Sequence, residues 1–183
     1  MIKRILSRFH VYLLWALISV FLWSYVFTFL TDAVPAKKLT LYISAYAVED
    51  VELAARLEEG GLPDGIRMIK VHPFSYVMFD DADLRSADLY IVKASEAPGW
   101  RDSFRPLPNG EFVSSLDLEG GAQGIRVYDR FTGFSVHGDL ITYTQEGMPA
   151  EDYYLFFGAG SVHDELTDGG AIWLARRFLE GAW

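Results

Sequence analysis

Three groups of side chains in this 183-residue chain have types and spacings that invite chemistry. The first is the loop Gly158-Ala159-Gly160-Ser161, with His163 two residues on. Small residues leave backbone N–H groups accessible, and such a loop between a strand and a helix can hold an anion. Two sharper readings fail on spacing. His163 stands where the dinucleotide fingerprint needs its third glycine, and Ala159 and His163 flank Ser161 where a nucleophile elbow needs glycines. A plain strand-to-helix turn is the simpler account. If the domain binds a ligand, this loop is still a place to look, because ligands sit beyond strand carboxyl ends in open α/β sheets.

The second group is His72, His137 and His163, with Asp139, Asp164 and Glu165 close to two of them. No HExxH-like spacing holds two histidines on one helical face, so no metal site is expected. The cluster Asp80, Asp81 and Asp83 lacks the alternating ligands, glycine and terminal Glu of an EF-hand and reads as a solvated helix start. An anchored hydrolase would use His163 with Asp164 or Glu165. No set of nucleophile, base and orienting group stands out, so no catalytic residue is assigned and no cofactor is expected.

The third group is aromatic. Trp100, Phe104, Tyr153 and Tyr154 offer stacking surfaces for a solute or a protein. Trp100 lies in a Pro- and Gly-rich stretch. Tyr153 and Tyr154 are neighbours on an expected strand and so point to opposite faces, which predicts that at most one joins the core. The ligand-binding candidates are therefore Trp100, Tyr153, Gly158, Gly160, Ser161 and His163.

These residues need a scaffold. Short β-prone runs at Leu39–Ala45, Ile66–Val71 and Asp88–Val92 alternate with a helix at Glu49–Glu59 and a short acidic helix at Asp80–Ala87. Val51, Ala54 and Ala55 are expected to form the apolar face of the first helix, which Gly60-Gly61 stops. Phe74–Phe79 adds an irregular or extended piece. This β-α-β-α-β order implies parallel strands with crossover helices. Residues 94–124 read as a loop-rich excursion. Ile125–Asp129 and Asp139–Gln145 read as two strands joined by a turn at Thr132-Gly133, and Asp152–Phe157 as another strand. Asp168–Glu180 closes the chain as a helix with Ala171, Leu174, Ala175 and Phe178 on one face. The fold class is α/β, a mixed, partly parallel sheet flanked by helices.

Upstream, Val11–Leu30 is a run of twenty uncharged residues. About twenty helical residues span the roughly 30 Å hydrocarbon core of a bilayer. The run exceeds the roughly 7–15 apolar residues of a cleaved signal peptide. An uncleaved single-pass anchor is expected, although small residues at Val34-Pro35-Ala36 would suit cleavage. Lys3, Arg4 and Arg8 precede the run, which places the N-terminus in the cytoplasm and the remainder outside. The expected organisation is a basic tail at 1–10, an anchor through the lipid bilayer at 11–30, a linker at 31–38 and an extracytoplasmic domain at 39–183. Setting aside Lys3, Arg4, Arg8 and Asp32, residues 37–183 carry 13 Lys and Arg against 24 Asp and Glu, a net charge of −11. That surface repels nucleic acid, so no nucleic-acid partner is expected. The chain has no Cys, which excludes a lipidated cysteine anchor and a disulfide scaffold.

The stretch Leu39–Val92 resembles the first lobe of type II periplasmic solute-binding proteins. The elements that carry the likeness are the strand LTLYISA, the helix VELAARLEE, and the strands IRMIKV and ADLYIV. The segment DYYLFFGAGSVH with its closing helix is similar to small bacterial anchored proteins of this kind. Strands like ADLYIV end at the ligand cleft in that family, and this chain has room for one lobe. The resemblance implies a membrane-anchored, single-lobe binding domain for a small solute or an envelope protein, without catalysis. An accessory subunit of a membrane complex is the alternative.

Overall fold

The computed structural model describes residues 9–31, 34–73, 82–108 and 110–180 of the chain. It divides into two units, Met1–Val34 and Pro35–Trp183. The first unit holds one helix, α1 (Phe9–Thr31), of 23 residues and about 35 Å at 1.5 Å per residue. Its apolar residues surround the axis with no polar stripe. It is long and apolar enough to cross a membrane.

The second unit is α/β. Its elements are β1 (Lys38–Ile43), β2 (Ala47–Val48), α2 (Asp50–Glu58), β3 (Met68–Pro73), α3 (Ala82–Arg85), β4 (Leu89–Lys93), β5 (Phe104–Arg105), β6 (Leu116–Asp117), β7 (Gln123–Tyr128), β8 (Ile141–Thr142), β9 (Tyr153–Gly158) and α4 (Gly170–Glu180). The main sheet runs β3-β1-β4-β9-β7-β6, with β5 also on β9. β1 is parallel to both β3 and β4, while β9 is antiparallel to β4, β5 and β7. The expected mixed sheet is therefore present. From β1 the chain passes through α2 to β3, then returns past β1 to β4.

The sheet is covered on both faces. Leu39, Leu41, Ile43, Leu89, Ile91, Leu155 and Phe157 join Leu53 and Leu57 of α2 and Leu174 and Phe178 of α4 in one core. Tyr42, Tyr90, Val92, Tyr154 and Phe156 join Leu84 of α3 and Ala97 and Phe104 beyond β4 in the other. A strand covered on both faces tolerates an unbroken apolar run, and every residue of β9 is buried. Both Tyr153 and Tyr154 are therefore core, one on each side, whereas the sequence suggested one at most. Gly124 of β7 is required by close packing. A Cβ there would lie 2.7 Å from the Phe156 ring, which stacks on Phe104 at 4.3 Å.

Other differences have local causes. The buried positions of α2 are Leu53 and Leu57, with Ala54 half-buried, while Val51 is 79% exposed. The helix is rotated from the expected face because two leucines bury more apolar area than Val and Ala. The acidic helix ends at Arg85, before the expected Ala87; its described part is Ala82–Arg85, and Phe74–Phe79, Asp80 and Asp81 lie outside the described residues. The expected 125–145 hairpin survives as a single bridge, Tyr128 to Ser135. His137 adopts left-handed backbone (φ 51°) and its Nε2 lies 3.0 Å from the Phe178 carbonyl. The chain turns there, and β8 pairs with β2 instead. At the β3 edge, Glu58 Oε1 accepts the Ile69 N–H at 2.7 Å.

The two faces of α2 make a direct test. Leu53→Ala should destabilise the protein by about 2–5 kcal/mol, while Val51→Ala should change stability by no more than about 0.5 kcal/mol. Urea unfolding of the full chain in detergent measures both, and equal effects would refute the packing described.

Candidate functional site

Strand direction decides which loops share an edge. β1 and β4 are adjacent and parallel, and the chain leaves them on different faces: β1 leads into α2 on one face of the sheet, and β4 leads into the 3₁₀ turn Ala97–Ser103 on the other. Their carboxyl ends therefore flank a topological switch point, where the crossovers diverge and leave a crevice. A cleft of about 330 Å³ lies there, lined by Ser44, Tyr46, Lys93, Glu96, Tyr143 and Tyr153 among others. This volume is at the low end of small-molecule sites.

Each side chain has a reason to be there. Ser44 is the first residue beyond β1, and its N–H donates to the Ile91 carbonyl at 2.7 Å. Its hydroxyl donates to Glu96 Oε2 at 2.7 Å. Lys93 ends β4, and its Nζ lies 3.5 Å from Glu96 Oε1. Glu96 is thus held from both strand ends, with a serine on one oxygen and an ammonium near the other. Tyr153 opens β9 opposite Lys93. Its hydroxyl donates to the Tyr143 carbonyl at 2.7 Å, and Tyr143 in turn donates to the Val136 carbonyl at 2.9 Å. Burial, followed by the charges of Glu96 and Glu151, pushes the Tyr153 phenol up, so it stays a neutral donor. Tyr46 and Tyr143, which flank the β2–β8 pair, line one wall, and the Tyr46 N–H donates to the Thr142 carbonyl at 3.0 Å. Tyr46 and Met148 remain 54% and 59% exposed on the rim. The result is a polar, charged floor under an apolar rim.

Trp100 lines a different cleft, of about 730 Å³, with Arg85, Asp102 and Glu96, on the face covered by α3. Although larger, that cleft is floored by a 3₁₀ turn (Ala97–Ser103) and not by strand ends. Glu96 borders both clefts.

Gly158, Gly160, Ser161 and His163 lie at the opposite edge. They follow β9, which is antiparallel to β4, so its carboxyl end meets the amino end of β4. Both glycines allow close backbone approach: a Cβ would lie 1.9 Å from the Ala87 carbonyl oxygen at Gly158, and 2.2 Å from that of Arg85 at Gly160. Ser161 donates its hydroxyl to Asp88 Oδ1 at 2.5 Å and accepts the His163 N–H at 3.0 Å. His163 is 2% exposed. Its Nδ1 is 2.7 Å from Asp168 Oδ2, and its Nε2 is 3.0 Å from the Pro35 carbonyl oxygen. The carboxylate beside His163 is thus Asp168. Asp164 instead caps the Leu166 and Thr167 amides, and Glu165 faces Arg105. Both imidazole nitrogens and the serine proton are already engaged, so this set has no base aimed at a nucleophile. Asp88 is 1% exposed, and burial raises its carboxyl against the Ser161 and Thr40 hydrogen bonds.

His72 stacks on Tyr42 at 4.8 Å in β3, and His137 bonds to α4, so the three histidines sit on separate elements. Among the described residues no three His, Asp or Glu side chains gather as metal ligands. Of the candidates read from sequence, Tyr153 alone belongs to the switch-point cleft. Ser44, Lys93 and Glu96 were overlooked, yet a signal existed: Ser44 and Lys93 directly follow LTLYI and LYIV, the two most apolar parallel strands, and Glu96 lies three residues beyond Lys93. No family model, curated protein or solved structure matches this chain.

Burial opposes charge on His163, but the Asp168 and Pro35 hydrogen bonds and the charges of Asp88 and Asp168 outweigh it and raise its pKa above 6.5. Such a group stabilises the fold fully below its unfolded value and loses that contribution as pH rises through the raised folded value. Urea midpoints should therefore fall over this window, and His163→Gln should flatten that part of the curve. A slope unchanged by the substitution would refute the assignment. Gly160→Ala should cost about 1–3 kcal/mol through the clash at Arg85, read as a lower urea midpoint at fixed pH.

Proposed function

We propose that the protein is a membrane-anchored, extracytoplasmic binding domain that takes a small polar solute into the switch-point cleft without covalent chemistry. The observation that carries this reading is the Ser44–Glu96–Lys93 set on the cleft floor, held between the carboxyl ends of β1 and β4. A carboxylate and an ammonium side by side present both acceptor and donor to a solute. The exposed Tyr46 ring and Met148 thioether above them give its apolar part a surface to cover.

The anchor rests on α1 and on Lys3, Arg4 and Arg8 before it. Basic flanks are retained on the cytoplasmic side, so the acidic domain faces outward. The likeness of Leu39–Val92 to a solute-binding lobe agrees with this reading.

An envelope protein is the second reading, favoured by one observation. The turn after β7 lies at the same edge as the cleft and carries Phe131 at 79% exposure. It is braced by the Phe131 N–H to Asp129 Oδ1 (2.8 Å) and the Arg130 N–H to Asp152 Oδ1 (2.9 Å). A rigid exposed aromatic is the usual form of an interface anchor.

Thermal unfolding of the full chain in detergent, screened against amino acids, sugars, short peptides and divalent ions, tests the solute reading. A ligand at about 100 times its Kd adds about 2.7 kcal/mol, or roughly 5–10 °C for a domain of this size. The shift should vanish in Lys93→Met/Glu96→Gln and persist in Trp100→Ala. A shift that survives the double substitution would remove the cleft from the account. A screen without any shift, combined with a co-purifying partner lost in Phe131→Ala, would transfer the function to protein recognition.

A further inference from the structure

The buried ring of His163 faces two oxygens that can only accept. Asp168 is an acceptor at both of its oxygens: Oδ2 meets His163 Nδ1 at 2.7 Å, and Oδ1 takes the Gly170 N–H at 2.8 Å. The Pro35 carbonyl meets Nε2 at 3.0 Å. A neutral imidazole carries one N–H and one lone pair, so it can satisfy only one of these neighbours. Only the imidazolium satisfies both. When it loses a proton, the remaining N–H stays with the stronger acceptor, the carboxylate. The Nε2 lone pair then confronts the Pro35 carbonyl oxygen, and the contact becomes repulsive.

The surroundings set how the ring responds. The turn before β4 contributes Asp88, and the loop before α4 contributes Asp168; these are the charges acting on the ring. The 3₁₀ turn Pro35–Lys37 contributes the Pro35 carbonyl. Both charges are negative, and both favour the imidazolium. Asp88 is fixed in place by Ser161 and the Thr40 N–H.

We propose that His163 is a proton-operated latch on the tether of the domain: as imidazolium it fastens Pro35, and on losing its Nε2 proton it lets the Pro35–Lys37 turn go. The tether is the short stretch between the apolar helix and β1. Released, it gains the length of the turn. Beyond it the chain is still held, because the Arg67 N–H donates to the Lys37 carbonyl at 2.8 Å and β1 follows at once. The raised pKa of His163 puts the release on the alkaline side of an ordinary histidine titration. This inference is independent of any ligand in the switch-point cleft.

The chain has no cysteine and Val34 is exposed, so Val34→Cys in the full-length protein accepts a single nitroxide next to Pro35. Electron paramagnetic resonance should show an immobilised label at mildly acidic pH and loss of that component as pH rises. The midpoint should coincide with the titration of the His163 ring followed by NMR. Asp168→Asn, which keeps the shape and removes one charge, should move both midpoints to lower pH together. A label whose mobility ignores pH while the ring titrates overturns the latch. So does a transition whose midpoint stays put when the ring's midpoint moves. The titration of the Val34→Cys protein alone decides the matter if the Asp168 variant fails to fold.

Discussion

The domain depends on one buried carboxylate. Asp88 precedes β4 and is 1% exposed. Its N–H donates to the Thr40 carbonyl at 3.0 Å, and its own carbonyl accepts the Gly158 N–H at 2.9 Å. Its side chain accepts the Thr40 N–H at 2.7 Å and the Ser161 hydroxyl at 2.5 Å. One residue thus joins β1, β4 and the end of β9. A buried charge is tolerable only when hydrogen bonds replace its water. Here they fix the register of three neighbouring strands at one point. The close approach of Gly158 and Gly160 to residues 85–87 follows from the same junction.

The two edges of the sheet carry different loads. At the amino edge the polar groups are saturated by one another: Ser161, His163, Asp168 and Asp88 form a closed set with backbone partners. At the carboxyl edge Lys93 and Glu96 keep part of their surface open, and aromatic side chains stand around them. Saturated polar groups stabilise and specify a fold, whereas half-open ones at strand ends have capacity left for a ligand. This division follows from strand direction.

Much of the scaffold was legible in the residues. The β-α-β alternation from Leu39 to Val92 yielded three parallel strands because each segment satisfied one local pattern. The i, i+3, i+4 spacing of Ala171, Leu174, Ala175 and Phe178 yielded α4 because burial follows helical periodicity. What a local pattern cannot carry is direction and partnership. DYYLFF reads the same whichever way the strand runs, yet its antiparallel placement sends Gly158–His163 away from the cleft. β8 is two residues long, and its partner β2 lies about ninety residues earlier, so no short window contains the pair. Ser44 and Glu96 are ordinary residues until the sheet places them within 2.7 Å of each other.

The position of β9 has a consequence for how the chain is made. β9 sits in the middle of the sheet, but its residues are synthesised about sixty residues after those of its partner β4, with Leu89 waiting for Phe157. Contacts of such long range form late and slow the closure of a fold. Until then β4 has an unpaired edge, and YYLFF is an exposed, uncharged, β-prone segment of the kind that aggregates. Its borders answer this hazard. Glu151 and Asp152 precede it, and Gly158 and Gly160 follow, the charge and the weak strand formers that act as gatekeepers around such runs. The strand that completes the core is also the one that must be kept from finding the wrong partner first.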